Sequence, residues 1–139
     1  MIQVAGRQTS RGIKIQVAGK TYVISYPNGV WQNYPGELRE VLLDNLVFAA
    51  TIHLPIVFGE AEVLYNTSRP LFQPHFFQNL IMDFPSCADV DHVSTSNLVR
   101  QFMNLSVRFA DDRIRLPGYR EASSPNSSVI SLSFGKDSL

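Results

Sequence analysis

The chain is poor in three things: it has one cysteine (Cys87), one tryptophan (Trp31) and no excess of either charge, its 12 basic and 12 acidic side chains balancing over 139 residues. A lone cysteine excludes an internal disulfide framework and points to a reducing compartment. Balanced charge excludes a protein that grips nucleic acid over its whole surface. Charged residues are 17% of the chain and hydrophobic ones 45%, which excludes the charge-rich, core-poor composition of a disordered segment. Long apolar runs are missing too. The longest, Leu46 to Phe58, is interrupted by Thr51, His53 and Pro55 and is too short to span a bilayer. Met1 to Ser10 lacks the charged-then-apolar layout of a secretory signal. The reading is a cytoplasmic chain with no membrane partner, long enough for one domain that buries roughly two-thirds of its unfolded surface.

What is present is unevenly spread. Residues 1–36 carry Arg7, Arg11, Lys14 and Lys20 and no acid, for a charge of +4; residues 37–91 carry −6 and the remainder +2. The basic start is interleaved with Tyr22, Tyr26, Trp31 and Tyr34, a composition that suits single-stranded RNA and equally suits a small sheet with solvated bases on one face and aromatics in a core.

Ile13, Ile15 and Val17 alternate with polar residues, as do Tyr22, Ile24 and Tyr26, and Gly19 separates the two runs. That period of two predicts paired strands. The segment Ile2-Gln3-Val4-Ala5-Gly6-Arg7 recurs as Ile15-Gln16-Val17-Ala18-Gly19-Lys20, which reads as two similar strands of one antiparallel meander, broken at Pro27-Asn28-Gly29. Pro35 in the first turn, Asn33 or Tyr34 at the cap and Glu37 near the positive end predict a helix whose stripe is Leu38, Leu42, Leu46 and Ala49, ended by Pro55. Glu62 to Tyr65 reads as a short strand. A second helix opens at Pro74, carries Phe76, Phe77, Leu80 and Ile81, and closes at Pro85. A third starts near Ser94 or Thr95 with Leu98, Phe102, Leu105 and Phe109 at helical spacing, and Pro117-Gly118 breaks it. The fold class expected is α+β: a small antiparallel sheet from the N-terminal third, packed with about three helices, over residues 1–121.

Residues 122–128 (Ala-Ser-Ser-Pro-Asn-Ser-Ser) read as a polar linker. A compact apolar strand follows, Val129 to Leu132, and then Ser133-Phe134-Gly135-Lys136-Asp137-Ser138. A buried strand running into small, polar and glycine residues is how α/β folds build a phosphate site, with backbone N–H groups facing the anion. Lys136 supplies a mobile positive charge, the Ser133 and Ser138 hydroxyls suit phosphate oxygens, and Asp137 suits loop ordering or magnesium. The spacing is not that of a Walker A loop.

These residues resemble the PP-loop signature of the ATP pyrophosphatases (the N-type, adenine nucleotide alpha hydrolase-like superfamily), Ser-Gly-Gly-Lys-Asp-Ser behind a hydrophobic strand. Ser133, Gly135, Lys136, Asp137 and Ser138 match, and Phe134 stands at the usual first glycine. The resemblance implies that these five residues contact the phosphates of ATP, held with magnesium, in an enzyme that adenylates a small molecule or a tRNA and releases pyrophosphate. It further implies that residues 129–139 are the truncated start of that ATP-binding domain, residues 1–121 an accessory domain, and the fragment inactive alone. A fused glutaminase is excluded because residue 2 is Ile, not the nucleophilic cysteine. A 7-cyano-7-deazaguanine synthase-like branch and a tRNA-thiolating branch with an RNA-binding accessory domain both remain open. So does a self-contained interaction module, including a homodimer.

No catalytic or metal set is legible elsewhere. Cys87, Asp89, Asp91 and His92 fall within six residues but lack paired metal-ligand spacing and read as a loop with a capping aspartate. His53 reads as a core histidine or a cation at a helix C-terminus. Asn66-Thr67-Ser68, Asn104-Leu105-Ser106 and Asn126-Ser127-Ser128 match the glycosylation pattern by chance.

Overall fold

Alternating apolar residues at the start of the chain build the expected meander. In the computed structural model, which describes residues 1–118, β1 (Ile2–Thr9), β2 (Gly12–Val17) and β3 (Lys20–Ser25) pair antiparallel in sequence order. The near-repeats lie side by side, with Val4 opposite Val17. Between β2 and β3 the chain turns on two residues, Ala18 (φ 49°) and Gly19 (φ 74°). Two positive φ values in a two-residue loop match the right-handed twist of the flanking strands.

The sheet does not stay in the N-terminal third. β4 (Glu62–Arg69) joins β1 in parallel and β5 (Ser106–Ile114) joins β4 in parallel, giving a five-stranded mixed sheet in the order β3-β2-β1-β4-β5. Two helical crossovers return the chain to the same edge, as parallel pairing requires. The α+β class and the antiparallel N-terminal strands stand; β4 and β5 extend them in parallel, so the whole sheet is mixed.

Five helical segments occur among the described residues: α1 (Asn28–Asn33), α2 (Gly36–Thr51), α3 (Leu54–Val57), α4 (Gln73–Asp91) and α5 (Thr95–Met103). Prolines account for most differences from the sequence reading. Pro27 sits at the cap of α1, where a break was expected, because its fixed φ suits the first turn. Pro35 caps α2, one or two residues beyond the expected Asn33 or Tyr34, with Glu37 in the first turn. Pro55 does not end α2, which stops at Thr51; it lies in the first turn of α3, where a missing N–H costs nothing. Pro85 does not close α4, which runs on to Asp91. That proline forfeits one backbone bond, and the burial of Phe84 and Ala88 on either side holds the helix through it. Cys87, Asp89 and Asp91 are therefore helical rather than in a loop, and His92 leaves α4 in the left-handed conformation.

The third helix ends at Met103, and Phe109, expected on it, lies in β5 opposite Tyr65. A spacing of seven fits two helical turns, but Val107 and Phe109 also alternate inward with period two, and pairing to β4 decides the outcome.

One face of the sheet carries the core. Val4, Ile13, Ile15, Val17, Val63 and Tyr65 point to it and meet α2 through Val47 and Phe48, all buried. Gly6 lets α2 approach closely: a Cβ there would lie 2.4 Å from a Val47 methyl. On the opposite face Gln3, Arg7, Gln16, Thr21 and Val23 are exposed. Gly36–Val57 is long and apolar enough to cross a membrane by length and composition, but half of that stretch is buried within the fold, as a core helix is.

Candidate functional site

Sheets with parallel strands hold ligands beyond the carboxyl ends of those strands. Here the regular β1–β4 register stops at Val4 opposite Tyr65. The Asn66 side chain then replaces the ladder: Gly6 N–H donates to Asn66 Oδ1 at 2.7 Å and Asn66 Nδ2 donates to the Gly6 carbonyl at 3.1 Å. In the same stretch the β4–β5 pairing shifts register between Tyr65 and Arg69, and the consecutive residues Thr67 and Ser68 are both buried.

Into this end of the sheet α2 brings Glu40 and Asp44, one turn apart and so on one face. Asp44 is 2% exposed, and its Oδ1 accepts the Ser68 N–H at 3.1 Å. Arg115, just past β5, bonds Glu40 and places its Nε 3.6 Å from Asp44 Oδ2. Gln8 of β1 donates to the other oxygen of Glu40. Asn45, the next residue, accepts the Phe72 N–H at 2.9 Å, so adjacent side chains fasten α2 to the segment leaving β4. Among the described residues, Asp44 Oδ2, Thr67 Oγ1 and Ser68 Oγ are buried without a hydrogen-bond partner.

Burial pushes the Asp44 carboxyl up to about 6, against the Arg115 guanidinium and the Ser68 N–H, which favour the charged form; Glu40 and Asp111 add to the rise. The cluster can therefore hold or release one proton just below neutral pH. Among the described residues no three His, Cys, Asp or Glu side chains could share a metal ion.

The raised value has a stability consequence with a definite sign. Above 3.8 the unfolded chain ionises this carboxyl, while the folded chain keeps its proton until about 6. Its contribution is greatest at low pH, falls between those two values and is flat above them. Relative to Asp44→Asn, the wild type is expected to lose on the order of 2–3 kcal/mol between pH 4 and pH 7. Urea unfolding of both proteins across that range checks it; parallel curves would show that Asp44 is ionised throughout.

A second feature is a cleft of about 370 Å³ between α2, α3 and α4, apolar at its floor and bordered by His53, Asn79, Cys87 and Asp91. His53 follows the end of α2 and is exposed, so it is not an enclosed core residue; partial desolvation lowers its pKa. Asp91 and Cys87 line the cleft from α4, while Asp89 and His92 border a different depression at the end of that helix. The aromatic residues of the basic start are largely used internally. Trp31 is buried, stacks on Tyr26 at 5.1 Å and Tyr34 at 6.5 Å, and donates its indole N–H to the Thr9 carbonyl at 3.0 Å. Tyr22 remains exposed.

Ser133, Gly135, Lys136, Asp137 and Ser138 lie outside the described residues, as do the linker and the Val129–Leu132 strand. The Asp44 cluster was missed in the sequence, although a signal was there: Asp44-Asn45 are two adjacent polar residues between the apolar runs Val41–Leu43 and Leu46–Ala50 of one helix. No protein-family model, curated protein or solved structure matches the chain.

Proposed function

We propose that residues 1–121 form an accessory domain of a cytoplasmic PP-loop ATP pyrophosphatase. The observation that carries this reading is Ser133-Phe134-Gly135-Lys136-Asp137-Ser138 behind the apolar run Val129 to Leu132. Five of six positions suit a phosphate-binding turn, in which backbone N–H groups and one lysine face the anion. The accessory role agrees with the hydrogen bonds of Asp44 and Asn45, which fasten α2 to Ser68 and Phe72 as a structural device. ATP with magnesium would supply the activation, by adenylation of an acceptor oxygen with loss of pyrophosphate. Lys136 would balance phosphate charge, and Ser133, Gly135 and Ser138 would orient it. The acceptor class proposed is a small deazapurine acid, with a tRNA base as the competing substrate.

The test is the product of the complete reading frame, incubated with ATP, magnesium and each acceptor class in turn. Acceptor-dependent release of AMP and pyrophosphate is expected, with Lys136→Ala reducing it by at least about tenfold, as loss of a charge-assisted phosphate contact does. Absence of ATP binding, or AMP release that Lys136→Ala leaves unchanged, refutes the assignment.

A further inference from the structure

Helices α2 and α4 touch near the start of α4, where the Phe48 ring lies 6.1 Å from Phe76 and 5.7 Å from Phe77. The other flank of α4 is held by α5 through edge-on contacts of Phe102 with Phe77 at 4.9 Å and Phe84 at 5.5 Å. Toward its C-terminus the flank of α4 that faces α2 and α3 is left open, over a floor that includes Ile52, Leu80 and Leu98.

Two properties of this cleft define what fits it. The first is shape. The α4 residues that line it run from Phe76 to Asp91, a rise of about 22 Å at 1.5 Å per residue. That is four helical turns, an elongated trough rather than a compact ligand pocket. The second is charge. No Lys or Arg occurs between Arg39 and Arg69 or between Arg69 and Arg100, so α2 beyond Arg39 and all of α4 carry acids as their only fixed charges, and α3 carries none. Asp83 and Asp91 stand exposed on the rim, and Val57, 69% exposed, extends the apolar surface past it.

We propose that this trough is a docking site for a basic amphipathic helix of a partner protein, its apolar stripe on the Ile52, Leu80 and Leu98 floor and its Lys or Arg flank against Asp83 and Asp91. An apolar groove between helices with a rim of one charge recognises a helix by anchors at i, i+3, i+4 and i+7 and sets its orientation by charge. The inference holds whether or not Ser133–Ser138 bind nucleotide.

The experiment titrates the full chain, isotopically labelled, with three probes: an 18-residue Leu/Lys amphipathic peptide, its Leu/Glu counterpart, and phenethylamine. The Leu/Lys peptide is expected to move the amide signals of Ile52, Leu80 and Leu98, in a salt-sensitive way, and to bind at least about tenfold more tightly than the Leu/Glu peptide. The double variant Asp83→Asn/Asp91→Asn, changed only at exposed positions, is expected to weaken it about three- to tenfold. Equal binding of the two peptides, an affinity the double variant leaves unchanged, shifts located elsewhere, or no shifts overturn the proposal. Phenethylamine saturating the cleft as tightly as the Leu/Lys peptide also overturns it, because the site is then a small-molecule pocket.

Discussion

Gly12→Ala is expected to cost about 3–5 kcal/mol, a large share of the stability of a domain this size. Gly12 opens β2 with φ 151°, and a Cβ built on it would lie 2.0 Å from the Ile24 carbonyl oxygen and 3.2 Å from the Tyr26 ring. The backbone conformation alone costs an alanine about 1–3 kcal/mol. The clash adds to that because the obstacle is backbone. Relieving it means pulling β3 off β2 at the pairing of Gly12 with Ser25, beside the bond from Tyr26 N–H to the Arg11 carbonyl. The same end of the sheet seats Trp31, through its hydrogen bond to Thr9 and its stack on Tyr26. The only tryptophan therefore reports the damage. Urea unfolding followed by its fluorescence should show a much lower midpoint and a native spectrum shifted to the red. A cost below about 1 kcal/mol would mean that β3 relaxes around the new methyl.

Phe48→Ala is expected to cost about 3–5 kcal/mol by a different route, the loss of buried area together with the cavity left behind. Phe48 is 0% exposed, and its ring lies within 6.1 Å of Tyr65, Phe76, Phe77 and Phe109. These four come from β4, α4 and β5, so one side chain on α2 joins three other elements. Neighbours fixed on separate elements cannot all collapse into the space, which places the cost at the high end. Phe58→Ala, at a site 52% exposed, is the control and should stay within about 0.5 kcal/mol. Chemical denaturation of the two variants settles the comparison; equal losses would show that the Phe48 site collapses freely.

How much of this was legible from the residues alone follows from how local each cause is. The meander was legible because alternation and the Ala18-Gly19 turn are decided within about twenty residues. The start of α4 at Pro74 and of α5 near Thr95 were legible for the same reason. Pro55 and Pro85 misled because proline restricts a helix without settling whether packing on either side is strong enough to carry the chain past it. Phe109 misled because two periods fit the same apolar residues. Asp44 was not legible as the centre of a cluster: Ser68, Arg115 and Gln8, which meet it or its neighbour Glu40, are 24 to 71 positions away in sequence.

The near-repeat shows the division most directly. Sequence alone determined the α+β class, the antiparallel pairing of the two copies and the acid-only stretch that edges the cleft, because composition and period act locally. Only the tertiary structure decided that Ala5-Gly6, the same dipeptide as the Ala18-Gly19 turn, continues a strand instead. Gly6 lies beneath Val47 and is paired by the Asn66 amide, so its backbone groups are satisfied in an extended chain. Gly19 has no atom within 4 Å of the position its Cβ would take. With nothing packed over it, the same dipeptide is free to follow the hairpin, and the contacts that separate the two outcomes come from Val47 and Asn66, far downstream of the first copy.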